Sequence, residues 1–377
     1  MKTMPDSVRP STWEKVLNFL ASSDESTPYL LVDKDVVEEK ASLMGRGIRN
    51  CRVYYALKAN PDIGIARLLD RPGMNFEIAS EGELKILASL GIGPERIISS
   101  NPVKSPAFIR QAAAYGVEYF AFDSPAEVDK LAAHAPGCKV YVRLAVPNEG
   151  SEWPLSKKFG IEPDTAVELL LYARDRDLDP VGVTFHVGSQ CTNIYNWSTA
   201  LDKVSTVWSS AEDAGLRLGI LNIGGGYPIR YTRDVIDIRS IEEMIDTLVS
   251  RKFPDHVQVH LEPGRSVVGD AGVFVTSVIG KADRGGVDWL YIDAGVFNGL
   301  MESIGGIKYE YVVGSRAATR RWTLAGPSCD SFDVIAHDVE LPEPMIGDRL
   351  LILSAGAYTI SYASEFNGFP IPKTILI

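Results

Sequence analysis

Residues 53–61 read Val53-Tyr54-Tyr55-Ala56-Leu57-Lys58-Ala59-Asn60-Pro61. The apolar and aromatic side chains in a row predict a strand covered on both faces, the habit of parallel sheets. The run then carries a lysine and breaks at Asn-Pro. A lysine at the end of a buried strand has little water around it, and desolvation disfavours its ammonium form and lowers its pKa. A Schiff-base lysine needs that state. Taken alone, the run fits better a lysine that snorkels to solvent, because most lysines are solvated. The surrounding sequence reverses that preference.

The strand at 52–59 is the first of eight. Similar β-branched runs follow at 74–79, 97–100, 119–123, 139–146, 180–188, 219–224 and 257–262. Segments of helical period separate them at 63–70, 81–91, 106–116, 125–135, 163–176, 196–215 and 240–253, and a further helix near 35–48 precedes the first strand. Several open on good caps: Ser80 stands three residues before Glu83, and Ser124 precedes Pro125 at a first helical position. Eight β/α steps in roughly 230 residues predict a closed (β/α)8 barrel, whose typical size is about 250 residues. An open doubly wound sheet is the alternative, disfavoured because no G-x-G-x-x-G follows the first strand.

Beyond residue 268 the pattern changes to short strands at 272–280, 288–292, 308–313, 321–325, 349–354 and 373–377, punctuated by Gly, Pro and Asp. This part predicts an all-β domain, Greek-key or sandwich-like. The run Tyr29-Leu30-Leu31-Val32 precedes the barrel and is assigned to the same domain. The expected organisation is an α/β barrel over 35–268 and a β domain assembled from 1–34 and 269–377.

The chain has 377 residues, 45% of them hydrophobic, enough to bury a large core in two domains. Its 38 basic and 49 acidic residues leave a net charge of −11. That charge argues against nucleic acid or an anionic membrane as a partner, and it suits a cationic small substrate, although acidic surfaces more often serve solubility. No apolar h-region follows the N-terminus and no stretch approaches the length of a membrane span. The four cysteines, Cys51, Cys138, Cys191 and Cys329, are widely spaced and form no C-x-x-C pair. A disulfide framework or zinc site is therefore not expected, and a cytoplasmic location is.

In such a barrel the reactive residues stand at the C-terminal ends of the strands. The unusual residues fall there. Lys58 ends the first strand, Glu77 the second, Arg143 lies in the fifth, His186 and Ser189 end the sixth, Gly224-Gly225-Gly226 follows the seventh, and Glu262-Pro263-Gly264-Arg265 ends the eighth. Consecutive glycines leave N–H groups free to approach an anion, although a tight turn alone explains them as well. A second glycine turn with an arginine in the next loop points to a phosphate site, since the loops after the last two strands often bind phosphate. Glu262 sits in an otherwise apolar strand and needs a partner. A protonated pyridine nitrogen would serve, and so would a core arginine such as Arg143. His186 reads either as a satisfied core histidine or as a flat ring over a cofactor. His260 and Glu262 share a strand face, but no third ligand at a convincing spacing accompanies them, so no metal is expected. A lysine, a phosphate site, a buried carboxylate and a stacking histidine together describe pyridoxal phosphate binding.

The motifs Tyr55-Ala56-Leu57-Lys58-Ala59-Asn60, His186-Val187-Gly188-Ser189, Gly224-Gly225-Gly226-Tyr227-Pro228, Glu262-Pro263-Gly264-Arg265, Gly326-Pro327-Ser328-Cys329-Asp330 and Phe366-Asn367-Gly368-Phe369 occur in this order over nearly the whole chain. They resemble those of the alanine-racemase-fold (fold-type III) pyridoxal-phosphate-dependent amino-acid decarboxylases, and within them the ornithine/lysine decarboxylase branch. The resemblance implies that Lys58 carries the cofactor, with Glu77 and Arg143 near it. It implies that His186 stacks on the ring, that Glu262 pairs with the pyridine nitrogen, and that Ser189, Gly225, Gly226, Gly264, Arg265 and Tyr358 hold the phosphate. Cys329 would be the proton donor at Cα. Cys329 and Asp330 would reach into the partner's site across a head-to-tail homodimer, and Lys158 and Asp333 would form a salt bridge between subunits. Asp330 would bind the far ammonium of the substrate, with Glu302 as a second acidic contact and Tyr358 and Phe366 beside it. Relatives acting on diaminopimelate or arginine usually carry glutamate where Asp330 stands, so the resemblance implies L-ornithine, giving putrescine, or L-lysine, giving cadaverine. The alternatives are a modified diamino acid of a specialised pathway, or a catalytically silent regulatory homologue.

Overall fold

The computed structural model describes residues 4–153, 158–315 and 317–377. Eight parallel strands close a barrel in chain order: Cys51–Ala56, Asn75–Glu77, Ile97–Ser99, Tyr119–Phe122, Lys139–Arg143, Asp179–Thr184, Ile220–Asn222 and Gln258–Leu261. Closure comes from the eighth strand lying beside the first, with Val259 opposite Cys51 and Leu261 opposite Val53. We refer to these as the first to eighth barrel strands. Their interiors are continuous apolar runs because both faces are covered, one by the barrel filling and one by the helices. Phe76, Phe120, Phe122 and Phe185 are fully buried, each contributing about 1.5–3 kcal/mol relative to exposure.

The helices between strands start where the caps say they should. Ser80 and Ser124 each accept a hydrogen bond from the N–H three residues on, at Glu83 and Glu127. Glu83 reaches back to the Ala79 N–H at 2.6 Å, one residue short of a reciprocal capping box. Asp33 caps the helix Lys34–Leu43 and also receives Thr12 Oγ1 at 2.7 Å and Lys15 Nζ at 2.5 Å. This carboxylate ties the N-terminal helix, Pro10–Ser22, to the start of the barrel.

Eight of the remaining strands are connected in one mixed sheet. Its long central strand, Gly272–Arg284, pairs antiparallel with Arg349–Leu353 and with Val287–Ile292. Tyr29–Val32 pairs antiparallel with that central strand and parallel with Lys373–Leu376, so the early segment does join the late ones. The helix Pro10–Ser22 packs Trp13 and Val16 on this sheet against Tyr29, Val273 and Leu351. A strand over Val334–Pro342 and a short ribbon, Ser151–Trp153 with Ser189–Cys191, complete the β structure. Among the described residues no helix is long and apolar enough to cross a membrane.

Candidate active site

Lys58 does not continue the first strand. It lies in a 3-10 turn, Leu57–Ala59, just past the strand's end. A loop of the β sheet latches onto this turn: the Tyr358 N–H donates to the Ala59 carbonyl at 2.7 Å, and Asn60 Nδ2 donates to the Gly356 carbonyl at 2.9 Å. Tyr358 takes a left-handed conformation to do so, at φ 57°. Lys58 is thus set among buried neighbours, yet its side chain stays accessible and borders a cavity. His186, Ser189, Gly226, Glu262, Arg265 and Tyr358 also line that cavity.

The expected downward shift of the Lys58 pKa is not met. Burial does pull it down, but Glu77, Tyr358 and Glu262 pull it up further, and the net displacement is upward. The sequence shows the apolar neighbours of the lysine on its own strand and hides the carboxylates that other strands bring. Glu77, fully buried at the end of the second strand, is pushed up to about 8 by burial, against the opposing pull of Lys58. Its Oε1 accepts the Ser100 N–H at 3.3 Å.

His186 Nδ1 accepts the Gly188 N–H at 3.0 Å, which leaves Nε2 to carry the proton of the neutral ring. Burial, with Arg143 and Lys58 nearby, holds its pKa well below the usual histidine value, so the ring is neutral at physiological pH. Arg143 is half-buried and stacks on Phe159, with 5.5 Å from guanidinium to ring centre. Glu262 makes no salt bridge to it. Instead Glu262 Oε1 accepts from Ser100 Oγ and from Asn222 Nδ2, the latter at 2.5 Å. No described residue hydrogen-bonds to Glu262 Oε2.

The glycine turn beyond the seventh strand has two left-handed residues, Gly224 at φ 66° and Gly226 at φ 99°. A Cβ at Gly226 would lie 2.3 Å from the Gly188 carbonyl oxygen, and one at Gly225 would lie 2.4 Å from that of Glu262. Only glycine lets these loops close together. No described residue accepts a hydrogen bond from the N–H of Gly225 or Gly226, although Gly225 is buried. Buried donors of this kind call for an acceptor.

Arg265 is buried beside them and its donors are directed. Nε and Nη2 reach Ser189 Oγ at 3.3 and 3.1 Å, Nη1 reaches Tyr231 Oη, and the ring of Tyr358 lies 4.8 Å from the guanidinium. Glu302 pairs with it in a fork, at 2.7 Å from Nη1 and 2.5 Å from Nη2. This corrects the expectation for Glu302: its two oxygens neutralise Arg265 in a dry pocket and do not face a substrate ammonium.

Other expected residues lie apart from the cavity. Cys329 and Asp330 are exposed on the loop between Thr319–Ala325 and Val334–Pro342, with Cys329 Sγ 3.3 Å from Asn367 Oδ1. Phe366, 40% exposed, packs against Phe297 with ring centres 4.5 Å apart. Asp333 is buried, and its oxygens accept the N–H groups of Val296 at 2.8 Å and Ser328 at 3.0 Å, holding two loops of its own subunit together. Lys158 is exposed and lies 5.0 Å from the Phe159 ring centre. His260 is a core residue bonded to Gln258 and packed on Tyr54. Sequence reasoning missed Ser100, Tyr141, Asn222 and Tyr231. Asn222, a polar residue inside Ile220-Leu221-Asn222-Ile223, was the detectable one.

Residues 34–269 match the family model described as pyridoxal-dependent decarboxylase, pyridoxal binding domain. The chain is 38% identical over 356 residues to the lysine/ornithine decarboxylase of Selenomonas ruminantium, covering 93% of this chain and 89% of that one. A solved structure of SrLDC in complex with PLP and cadaverine superposes with a TM-score of 0.89 at 36% identity, covering 100% of this chain and 95% of its own. The lysine/ornithine decarboxylase of Vibrio vulnificus, solved with putrescine, gives 0.89 at 32% identity, covering 98% and 99%. The cavity fits the cofactor these comparisons carry: an accessible amine for its aldehyde, an open carboxylate oxygen for its ring nitrogen, and unpaired glycine N–H donors for its phosphate. Fold, site and comparisons agree, and the chain belongs to the pyridoxal-dependent decarboxylases.

Proposed function

We propose that this chain removes the α-carboxylate of L-ornithine or L-lysine, releasing putrescine or cadaverine for polyamine biosynthesis. The observation that carries the reading is the cavity lined together by Lys58 and Glu262, with no described residue hydrogen-bonded to Glu262 Oε2. Pyridoxal phosphate, when bound, supplies the electron sink that stabilises negative charge at Cα as carbon dioxide leaves. The protein's own groups do the rest. Lys58 would hold the cofactor through its amine and give it up to the substrate amine. Glu262 would pair with the ring nitrogen. Neutral His186 offers an uncharged ring face, with Glu77 and Arg143 setting the local field. The N–H groups of Gly225 and Gly226, the turn at Gly264, Ser189 and Tyr358 would receive the phosphate, while Arg265 holds Ser189 Oγ in place from behind.

The proton returned to Cα needs a donor, and Cys329 is the proposed one. Asp330 beside it is the proposed contact for the distal ammonium, a charge-assisted bond worth about 1.5–3 kcal/mol. In one chain these residues are exposed, among Phe332 (56% exposed) and Phe366. Such a surface supports a second copy that delivers Cys329, Asp330 and Phe366 to the neighbouring cavity, in a cytoplasmic homodimer. In this reading residues 35–268 form the cofactor-binding unit, and 1–34 with 269–377 form the unit that completes the partner's site. The test is carbon dioxide release over ornithine, lysine, arginine and diaminopimelate by the cofactor-loaded protein. Turnover of ornithine or lysine well above the other two supports the assignment. Release from none of the four overturns it.

A further inference from the structure

Behind Glu262 lies a group of buried polar side chains drawn from three other barrel strands. Ser100 follows the third strand, Tyr141 lies in the fifth and Asn222 in the seventh. Tyr141 and Asn222 are 0% exposed and Ser100 is 6% exposed. Tyr141 Oη and Ser100 Oγ are 2.7 Å apart, and Ser100 Oγ contacts Glu262 Oε1. Asn222 Nδ2 reaches the same oxygen at 2.5 Å, while its Oδ1 accepts the Gly224 N–H at 2.9 Å.

The direction of each proton follows from a donor count. The Gly224 N–H can only donate, so Asn222 must turn its oxygen to Gly224 and its NH₂ to Glu262. Ser100 has one proton and gives it to the carboxylate, so Tyr141 must donate to Ser100. Burial, with Glu262 close by, raises the Tyr141 pKa well above its usual value, so the phenol keeps the proton it donates. Every partner of Oε1 is then a donor, and Oε2 is the oxygen left for a ligand.

We propose that Tyr141, Ser100 and Asn222 are positioning residues that hold the Glu262 carboxylate by Oε1 with Oε2 facing the cavity, and so set the protonation of the ring nitrogen. This rests on the cofactor reading above. The chain Gly224–Asn222–Glu262 also couples the glycine turn to the carboxylate, so one backbone arrangement aligns both ends of the cofactor site.

The test uses holoenzyme loaded with pyridoxal phosphate carrying ¹⁵N at the ring nitrogen. In Ser100→Ala and Asn222→Leu the ¹⁵N resonance is expected to move toward its unprotonated position, with kcat down about tenfold and KM changed less than about twofold. Tyr141→Phe, which removes one oxygen, should shift both in the same sense by less, and it carries the test if the other variants do not fold. Ser100→Thr keeps the donor and should restore the resonance. A merely structural role would lower the melting temperature and leave the resonance in place. Folded variants with the parent's resonance and kcat overturn the inference alone. A parent protein that takes up no labelled cofactor overturns the reading of the cavity and the inference with it.

Discussion

Replacing Glu302 with glutamine keeps the shape of the Arg265 partner and removes its charge. Both side chains are 3% exposed and the fork closes at 2.7 and 2.5 Å, so water cannot make up the loss. At about 4 Å and an effective dielectric of about 20, Coulomb attraction is near 4 kcal/mol. Removing one partner of a buried pair costs about 3–5 kcal/mol, and the amide oxygen that remains offsets about 1 kcal/mol. The expected loss is about 3 kcal/mol. An unfolding entropy of about 2.1 cal/mol/K per residue over 377 residues is about 0.8 kcal/mol/K, so the melting midpoint of cofactor-free Glu302→Gln should fall by about 4 °C. A phosphate dianion seated beside Arg265 would replace the missing charge, so saturating pyridoxal phosphate should narrow the gap. Scanning calorimetry with and without cofactor measures both. A fall below about 1 °C refutes the magnitude given to the buried pair, and a gap that does not narrow refutes the assignment of Arg265 to the phosphate end.

Two further outcomes are expected. Glu77 has a folded-state pKa of about 8, above its ordinary 4.5, so the native state binds the extra proton and this group's contribution to stability is lost as pH rises from about 4.5 through 8. In cofactor-free Glu77→Gln that decline should flatten, and melting midpoints that follow the parent's across this window would disprove the shift. Mixed Lys58→Ala and Cys329→Ala subunits should regain activity up to about a quarter of the parent's through hybrid dimers with one intact site. No recovery, with exchange proven by mass, would argue against shared sites.

The barrel was legible because most of its strand residues are buried and write themselves as short apolar runs, with several of the helices between them opening on a side-chain cap. Val334–Pro342 was not, because His337, Asp338 and Glu340 interrupt its apolar pattern and its pairing with Thr319–Ala325 shifts register twice. The ribbon formed by Ser151–Trp153 and Ser189–Cys191 was too short to leave a periodic signal. Within the site, the charged residues at strand ends were readable one at a time. Their mutual effects were not. The upward shift of Lys58 comes from Glu77, Tyr358 and Glu262, which lie far away along the chain. Glu302 carried the right charge for a substrate contact, and only the fold shows that Arg265 already occupies it. Ser100, Tyr141 and Asn222 are uncharged and embedded in apolar strands, so their convergence on Glu262 required the closed barrel to be seen.

The most direct test of the account is to reduce the cofactor-loaded protein with borohydride, digest it and map the pyridoxyl group by mass spectrometry. The account predicts a single modified peptide carrying the group on Lys58. A label on a different lysine, or no label at all, would contradict it.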